Sequence, residues 1–258
     1  MLFSALLLFG LSVTGVAANY VPYEDEIDNE VFVPGDIDHE LYERQNNFRT
    51  QYWANENANL SWTSGPGGSY RVSWNQRSGG NFVVGKGYSP GAVTRVNYTG
   101  QFQVNGNSYL ALYGWTLDPL VEYYVIESFG IHNPSDNANS TCYGTFQSDG
   151  GTYEVWMKWR VNAPSIIGTA TFPQFWSVRT RRHVGGSINT TRHFEAYRRA
   201  GLRMGRLLDM FLGIEGQAGN GSANITVGAL PPGNVPETAT PTIRTERPSQ
   251  SPTCTPRL

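Results

Sequence analysis

The chain has 258 residues and a formal net charge of −2, and 39% of its residues are hydrophobic whereas only 16% are charged. This composition excludes a chain that is disordered throughout, a collagen and a coiled coil. Its 29 glycines and its 7 Trp, 14 Tyr and 12 Phe favour an all-β domain, because aromatic residues fit pleated surfaces and glycine supplies tight turns.

An apolar run over residues 2–13 leads into small residues that end at Ala18. The run is shorter than the ~20 residues that span a bilayer, so we predict a signal peptide over residues 1–18 and no membrane segment. A buried N-terminal strand is the alternative. A secreted, extracellular protein is expected, and six Asn-x-Ser/Thr sequons agree with a eukaryotic secretory route. The sequons begin at Asn59, Asn97, Asn139, Asn189, Asn220 and Asn224.

Residues 19–44 contain nine acidic residues and one Arg. No periodicity there lasts long enough to bury a face, so we predict a propeptide or a disordered acidic arm. Without residues 1–44 the chain keeps 12 of its 21 acidic and 18 of its 19 basic residues, and its net charge becomes +6.

Between residues 45 and 228 short runs with period-two alternation are separated by turn residues, a pattern typical of an antiparallel sandwich. The turn signals are Gly65-Pro66-Gly67-Gly68, Asn105-Gly106 and Asp149-Gly150-Gly151. One segment differs, because residues 191–201 place Phe194 and Tyr197 three positions apart and end in Gly. It predicts a single short helix packed on the outside of a sheet.

Several predicted strands carry aromatic residues at adjacent positions, as in Tyr52-Trp53, Tyr123-Tyr124 and Phe175-Trp176. Neighbouring residues of a strand point to opposite faces, so both faces receive rings at these places. One face is therefore predicted to line a groove suited to stacking on sugar rings. Core packing with a few surface aromatics is the alternative.

Two glutamates stand in apolar strand patterns. Glu122 lies among β-branched and aromatic residues, and Glu215 follows an alternating apolar run. Alternation puts Glu122 on one face with Tyr124. In the second strand the same alternation predicts that Met210, Leu212 and Ile214 face the core. The opposite face then carries Asp209, Phe211, Gly213, Glu215 and Gln217.

A lone Glu in a strand is more often exposed or ion-paired than catalytic. If both project into one aromatic groove, they suit glycoside hydrolysis, in which one carboxylate attacks the anomeric carbon and a protonated partner donates to the leaving oxygen. A separation of about 5 to 5.5 Å implies retention of configuration, and a wider gap implies inversion.

Residues 229–258 are rich in Pro, Thr and Ser and predict a tail or linker. Cys254 in this tail has three possible states: paired with Cys142, free, or bonded to another chain. The His residues are not at metal-ligand spacing, so no metal or other cofactor is expected. The Arg residues are scattered, so nucleic acid is not an expected partner, and we expect a monomer.

Seven separated motifs occur in order over about residues 47–228. They are Trp53, Gly80–Tyr88, Tyr113–Trp115, Pro119–Tyr124, Arg160–Ile166, Gln174–Arg179 and Ile214–Gly216. Together they resemble the family 11 endo-β-1,4-xylanases. The resemblance implies a β-jelly roll, a sandwich of two curved antiparallel sheets with one short α-helix, which cuts internal bonds of xylan with retention.

The resemblance also implies roles for individual residues. Glu122 would be the nucleophile and Glu215 the general acid/base, with residues 164–166 at the tip of a movable thumb loop. The substrate-binding residues would be Trp53 beside the scissile sugar, Tyr113 and Tyr124 near the nucleophile, Asn81 beside the acid/base, and Arg160, Pro164, Gln174 and Trp176.

Asn81 stands where an Asp in this family goes with an acidic pH optimum, so a less acidic optimum is predicted. The chain departs from the family at Asp209 and Gln217, which replace Tyr, and at Tyr88, which replaces Trp. Asp209 would either raise the pKa of Glu215 by like-charge repulsion or weaken substrate positioning. The rival functions are a catalytically weak xylan-binding protein and a lectin-like jelly roll, neither of which requires two facing carboxylates.

Overall fold

The structure is a computed structural model that describes residues 48–76, 79–135 and 140–228, together with Cys254. The predicted signal peptide, the acidic segment, the sequon at Asn139 and the tail apart from Cys254 lie outside the described residues.

Eleven strands and one helix occur in this part of the chain. They are β1 (Arg49–Ala54), β2 (Leu60–Ser64), β3 (Ser69–Gln76), β4 (Phe82–Tyr88), β5 (Arg95–Leu117), β6 (Val121–Phe129), β7 (Thr141–Ser148), β8 (Gly151–Ser165), β9 (Gly168–Arg179), β10 (Gly186–Asn189), α1 (Thr190–Arg199) and β11 (Arg206–Val227).

Two long strands, β5 and β11, run antiparallel to each other and hold the fold together. One half of each long strand lies within the series β1-β4-β11-β5-β6-β9-β8-β7. The other half of β11 also pairs with the shorter β3, and the other half of β5 also pairs with the shorter β10. The strands thus form two curved layers, as the jelly-roll prediction requires. One pair departs from the antiparallel pattern, because β6 and β9 run parallel, with Glu122 opposite Gln174.

The turn predicted at Asn105-Gly106 is wrong, because β5 continues through it. Gly106 has φ 134°, and a Cβ there would lie 2.3 Å from the carbonyl oxygen of Ala218 on β11. The glycine therefore lets the strand bend at a close backbone approach instead of reversing. The other two turn signals are confirmed. The 65–68 segment joins β2 to β3, and Asp149-Gly150, both with positive φ, closes the β7–β8 hairpin.

The core lies between the layers and uses the alternate residues that the pattern assigned to it. Met210, Leu212 and Ile214 of β11 are completely buried there beside Tyr70 and Tyr98. Burial of each such aliphatic side chain contributes roughly 1.5 to 3 kcal/mol. Because these three residues point inward, Phe211 and Glu215 of the same strand point to the opposite face.

The predicted helix is present as α1, and Gly201 follows it with φ 72°. Tyr197 is buried against Tyr123 and Phe175, on the side of the sheet away from the groove described below. Its hydroxyl donates to the backbone carbonyl of Tyr124 at 2.8 Å and accepts from Ser177. The helix thereby supports the strands β6 and β9 from behind.

Cys142 and Cys254 form a disulfide with their Cα atoms 5.6 Å apart, which decides among the three states left open by the sequence. The bond ties the C-terminal segment to β7, the last strand in the sheet order. None of the described helices has the length and apolar character needed to cross a membrane.

Candidate active site

A groove of about 610 Å³ lies on the sheet face opposite α1. This volume falls in the range typical of ligand sites. All ten residues that the sequence assigned to catalysis or substrate binding line it. They are Trp53, Asn81, Tyr113, Glu122, Tyr124, Arg160, Pro164, Gln174, Trp176 and Glu215.

Glu122 projects into the groove from the centre of β6 and is 8% exposed. One carboxylate oxygen accepts a hydrogen bond from Gln174 Nε2 at 2.6 Å, and the other accepts one from the Tyr124 hydroxyl at 2.9 Å. Burial raises the pKa of Glu122 above its usual value. Hydrogen bonds from Gln174, Tyr124 and Tyr113 oppose this rise, as does the positive charge of Arg160.

Glu215 projects into the same groove from β11 and is 9% exposed. Burial, followed by the negative charge of Glu122, raises its pKa to about 7. Hydrogen bonds with Tyr109, Gln217 and Tyr124 only partly offset these effects. Glu215 is therefore the carboxyl group of the pair that keeps a proton near neutral pH.

The two carboxyl groups share one neighbour. The Tyr124 hydroxyl lies 2.9 Å from Glu122 Oε1 and 3.3 Å from Glu215 Oε2. These two oxygens are therefore at most about 6 Å apart, below the ~6.5 to 9.5 Å separation that an inverting water requires. The geometry favours direct attack by one carboxylate.

Aromatic side chains form the walls around this pair. Tyr124 and Trp176 stack with their ring centroids 4.1 Å apart and their planes nearly parallel. Tyr113 tilts against Tyr124 at 4.9 Å. Trp53 on β1 is 47% exposed, so its indole face is available to a sugar ring. Adjacent aromatics thus do divide between two faces, because Tyr123 and Phe175 are buried under α1.

The β8–β9 hairpin overhangs the groove, and Arg160 and Pro164 line it from this side. Ser165 and Gly168 close the turn, with a hydrogen bond of 2.6 Å from the Ser165 hydroxyl to the Gly168 carbonyl oxygen. Ile166 and Ile167 at the tip are exposed. The movement of this hairpin stays a prediction.

Comparison with known proteins decides the family. The profile described as Glycosyl hydrolases family 11 matches residues 45–226. The chain belongs to glycosyl hydrolase family 11.

Three relatives illustrate the similarity. The chain is 46% identical over 183 residues to a probable endo-1,4-beta-xylanase B of Aspergillus clavatus, covering 71% of this chain and 81% of that protein. It is 48% identical to ethylene-inducing xylanase 1 of Botryotinia fuckeliana, covering 69% of this chain and 62% of that protein. It is 49% identical to endo-1,4-beta-xylanase 11B of Humicola insolens, covering 69% of this chain and 60% of that protein.

A solved structure is similar as well. It comes from a structural comparison of two major endo-1,4-beta-xylanases of Trichoderma reesei. The match has a TM-score of 0.64 and 37% identity, and it covers 70% of this chain and 97% of the other.

Two departures from the family 11 pattern lie in the groove. Asp209 lines it from β11, six positions before Glu215. Six extended residues span roughly 20 Å, about two and a half times the ~8 Å Debye length at physiological salt, so repulsion from Asp209 is weak at Glu215. Burial and Glu122 are the causes that raise the pKa of Glu215. This favours the second expectation for Asp209, a change in substrate positioning.

Gln217, the other departure, contacts Glu215 directly. Its Nε2 lies 3.2 Å from Glu215 Oε1, and its Oε1 accepts a hydrogen bond from Asn107 Nδ2 at 3.0 Å. Asn107 therefore holds Gln217 with its amide nitrogen toward the carboxyl group of Glu215.

Asn81 lies where β4 begins, and its backbone nitrogen donates to Asn55 Oδ1 at 3.0 Å. Its own Oδ1 is buried with no hydrogen-bond partner among the described residues. A buried acceptor without a partner is uncommon in proteins. Within the described residues the Asn81 side chain makes no hydrogen bond to Glu215.

Several groove residues were not predicted from the sequence, and Tyr109 and Lys158 are two of them. Tyr109 pairs with Glu215 across β5 and β11 and hydrogen-bonds to it. Period-two alternation back from Tyr113 would have placed Tyr109 on the groove face. Lys158 could have been found by the same alternation back from Arg160.

Proposed function

We propose that this chain is a retaining endo-1,4-β-xylanase in which Glu122 is the nucleophile and Glu215 the general acid/base. The proposal rests on one observation: the two carboxyl groups meet at the Tyr124 hydroxyl, and their surroundings favour a proton on Glu215. Family membership supports the reaction class, and the names of the three relatives support xylan as the substrate.

The reaction takes two displacements. In the first, a carboxylate oxygen of Glu122 attacks the anomeric carbon, the glycosidic C–O bond breaks, and the Glu215 proton passes to the leaving oxygen. In the second, ionised Glu215 takes a proton from water, whose oxygen attacks the same carbon and releases Glu122. Two inversions at one carbon give net retention.

The contacts in the groove support the roles that we propose for the other residues. Gln174 and Tyr124 each donate to Glu122, so they orient the nucleophile and stabilise its charge. Trp53 offers an exposed ring for stacking on a xylose unit, and Arg160 and Pro164 hold the chain from the hairpin side. An open groove that crosses the sheet suits internal cleavage of a polymer.

The test is product analysis of the purified protein on unsubstituted xylan. We expect short xylo-oligosaccharides whose newly formed ends have the β configuration when observed early by NMR. Glu122→Gln is isosteric and should remove reducing-sugar release while it still binds xylan. Binding without hydrolysis by the native protein would instead support the lectin-like alternative, and α-configured products would contradict retention.

We also propose that the protein is secreted and acts as a monomer. The disulfide between Cys142 and Cys254 supports secretion, because disulfides form and persist mainly in oxidising compartments. Production in a eukaryotic secretory host, with N-terminal sequencing of the protein in the medium, tests the predicted cleavage after Ala18. Size-exclusion chromatography with light scattering tests the monomer.

A further inference from the structure

The chain has only two lysines, Lys86 and Lys158. Lys86 is buried, and its ammonium group donates to the carbonyl oxygens of Gly65 and Gly67 at 2.6 and 2.7 Å, so its charge serves the fold. Lys158 is half-buried and lines the groove. Among the described residues it has no hydrogen-bond or ion-pair partner.

Strand register places Lys158 beside the catalytic centre. Glu122 on β6 lies opposite Gln174 on β9, and Gln174 lies opposite Lys158 on β8. Residues directly opposite each other share a sheet face, so all three side chains point into the groove. Two strand spacings put the Lys158 backbone roughly 10 Å from that of Glu122.

The charges around Lys158 leave its ammonium group available. Arg160, two residues further on the same face, is the cation that lowers the pKa of Glu122. Glu154, four residues earlier on that face, accepts a hydrogen bond from Trp156 Nε1 at 3.0 Å. Asp209 lies across the groove on β11, two strands from β6 in the opposite direction. The groove is therefore cationic on the β8 side and anionic on the β11 side.

We propose that Lys158 binds the carboxylate of a uronic acid substituent on the xylan backbone. This inference rests on the proposed function, because it takes xylan as the polymer in the groove. The backbone sugars are neutral and offer an ammonium group only hydroxyl and ether oxygens, whereas a uronate forms a stronger, charge-assisted hydrogen bond with it. The negative charge of Asp209 disfavours the same substituent at the other side of the groove. The position of the uronate on the xylan chain therefore determines which backbone linkage is cut.

The experiment compares two polymers with the same backbone. One is glucuronoxylan, and the other is the same sample after reduction of its uronic carboxyl groups to alcohols. The measured quantity is the ratio of kcat/KM on the native polymer to kcat/KM on the reduced polymer. Any effect that a mutation has on cleavage of the xylan backbone itself cancels in this ratio. For the native enzyme we expect a ratio of about 3 to 10, falling as salt is added.

Three variants assign the preference to a residue. Lys158→Gln should bring the ratio to about 1, and Lys158→Arg, which keeps the charge, should retain most of it. Arg71→Gln removes one charge from an exposed site outside the groove and should keep the native ratio. A native ratio of 1, or a Lys158→Gln ratio equal to the native one, would overturn the inference.

A binding measurement separates this inference from the proposed activity. Calorimetry on the Glu122→Gln protein compares an oligosaccharide carrying one uronate with its carboxyl-reduced form. We expect tighter binding of the acidic form, and no preference once Lys158→Gln is added. If the native enzyme hydrolyses neither polymer, the proposed function fails, while this preference is still decided by the binding data. Equal binding of the two oligosaccharides would refute the Lys158 site.

Discussion

Gln217 Nε2 lies 3.2 Å from Glu215 Oε1, two residues away on the same face of β11. This contact lowers the pKa of Glu215, although burial and the charge of Glu122 still raise it to about 7. Gln217 is therefore a positioning residue for Glu215, the proposed acid/base, at a place where the family commonly has Tyr.

Replacement of Gln217 by Leu should move the alkaline limb of the pH profile upward. The amide stabilises ionised Glu215, so its removal makes the proton harder to lose and keeps the general acid active to higher pH. A hydrogen bond worth about 0.5 to 1.5 kcal/mol corresponds to roughly 0.4 to 1 pH unit. The check is kcat/KM on xylan from pH 4 to 9. Asn107→Ala, which only frees Gln217, should shift the limb less in the same direction, and a downward shift would contradict the assignment.

The effect of removing the proposed general acid, Glu215, should depend on the leaving group of the substrate. Glu215→Gln should lower kcat/KM on xylan by about 100-fold or more, because the sugar oxygen leaves poorly without a proton. On an aryl xylobioside with a strongly acidic phenol the first displacement needs no proton, so that step should be almost unimpaired. A stopped-flow burst of phenol measures it. Equal losses on the two substrates would mean that Glu215 is not the proton donor.

The native enzyme should show a bell-shaped dependence of kcat/KM on pH. Its alkaline limb should fall near pH 7, where Glu215 loses its proton, and its acid limb should lie above the usual pKa of a glutamate because burial raises the pKa of Glu122. Since the carboxyl groups interact, both limbs belong to the pair. A profile that peaks at strongly acid pH would contradict this and the expectation from Asn81.

Asp209→Tyr should change substrate affinity and leave the alkaline limb in place. Asp209 lies roughly 20 Å along the strand from Glu215, so its charge has little effect there. A ring on this groove wall adds a stacking surface, and KM on xylan should fall about two- to tenfold. Asp209→Asn removes the charge without adding a ring and serves as the control. Movement of the limb in both variants would restore the like-charge explanation.

A buried charge pair behind the groove should matter for stability. Arg179 Nη1 lies 3.3 Å from Glu127 Oε2, both side chains are buried, and the hydroxyls of Tyr98 and Tyr153 also contact Glu127. Arg179→Met leaves this carboxylate uncompensated, so the free energy of unfolding should fall by about 3 to 5 kcal/mol. Urea denaturation measures the change. Arg199→Met, in an exposed pair with Glu195, should cost less than about 1 kcal/mol.

Local sequence patterns were enough to predict which side chains face the groove and which face the core. Period-two alternation fixed this for Glu215 and Met210 on β11, because side chains of a strand must alternate between faces. Local signals also predicted the helix that contains Phe194 and Tyr197, because the spacing of its apolar residues is helical. They predicted the turn at Asp149-Gly150 as well, because a few residues with suitable backbone preferences define such a turn. The same rules failed at Asn105-Gly106, where glycine permits a bend as well as a reversal.

The way in which these local elements meet depends on long-range packing and could not be predicted from local patterns. Glu122 and Glu215 are 93 positions apart, and their approach through Tyr124 depends on the order and register of β6, β5 and β11. The parallel β6–β9 pair, which sets Gln174 against Glu122 and Lys158 beyond it, is likewise absent from any local pattern. Strand pairing between distant segments is set by the packing of the whole core, and the pKa of Glu215 follows from burial and from a neighbour that only this packing supplies.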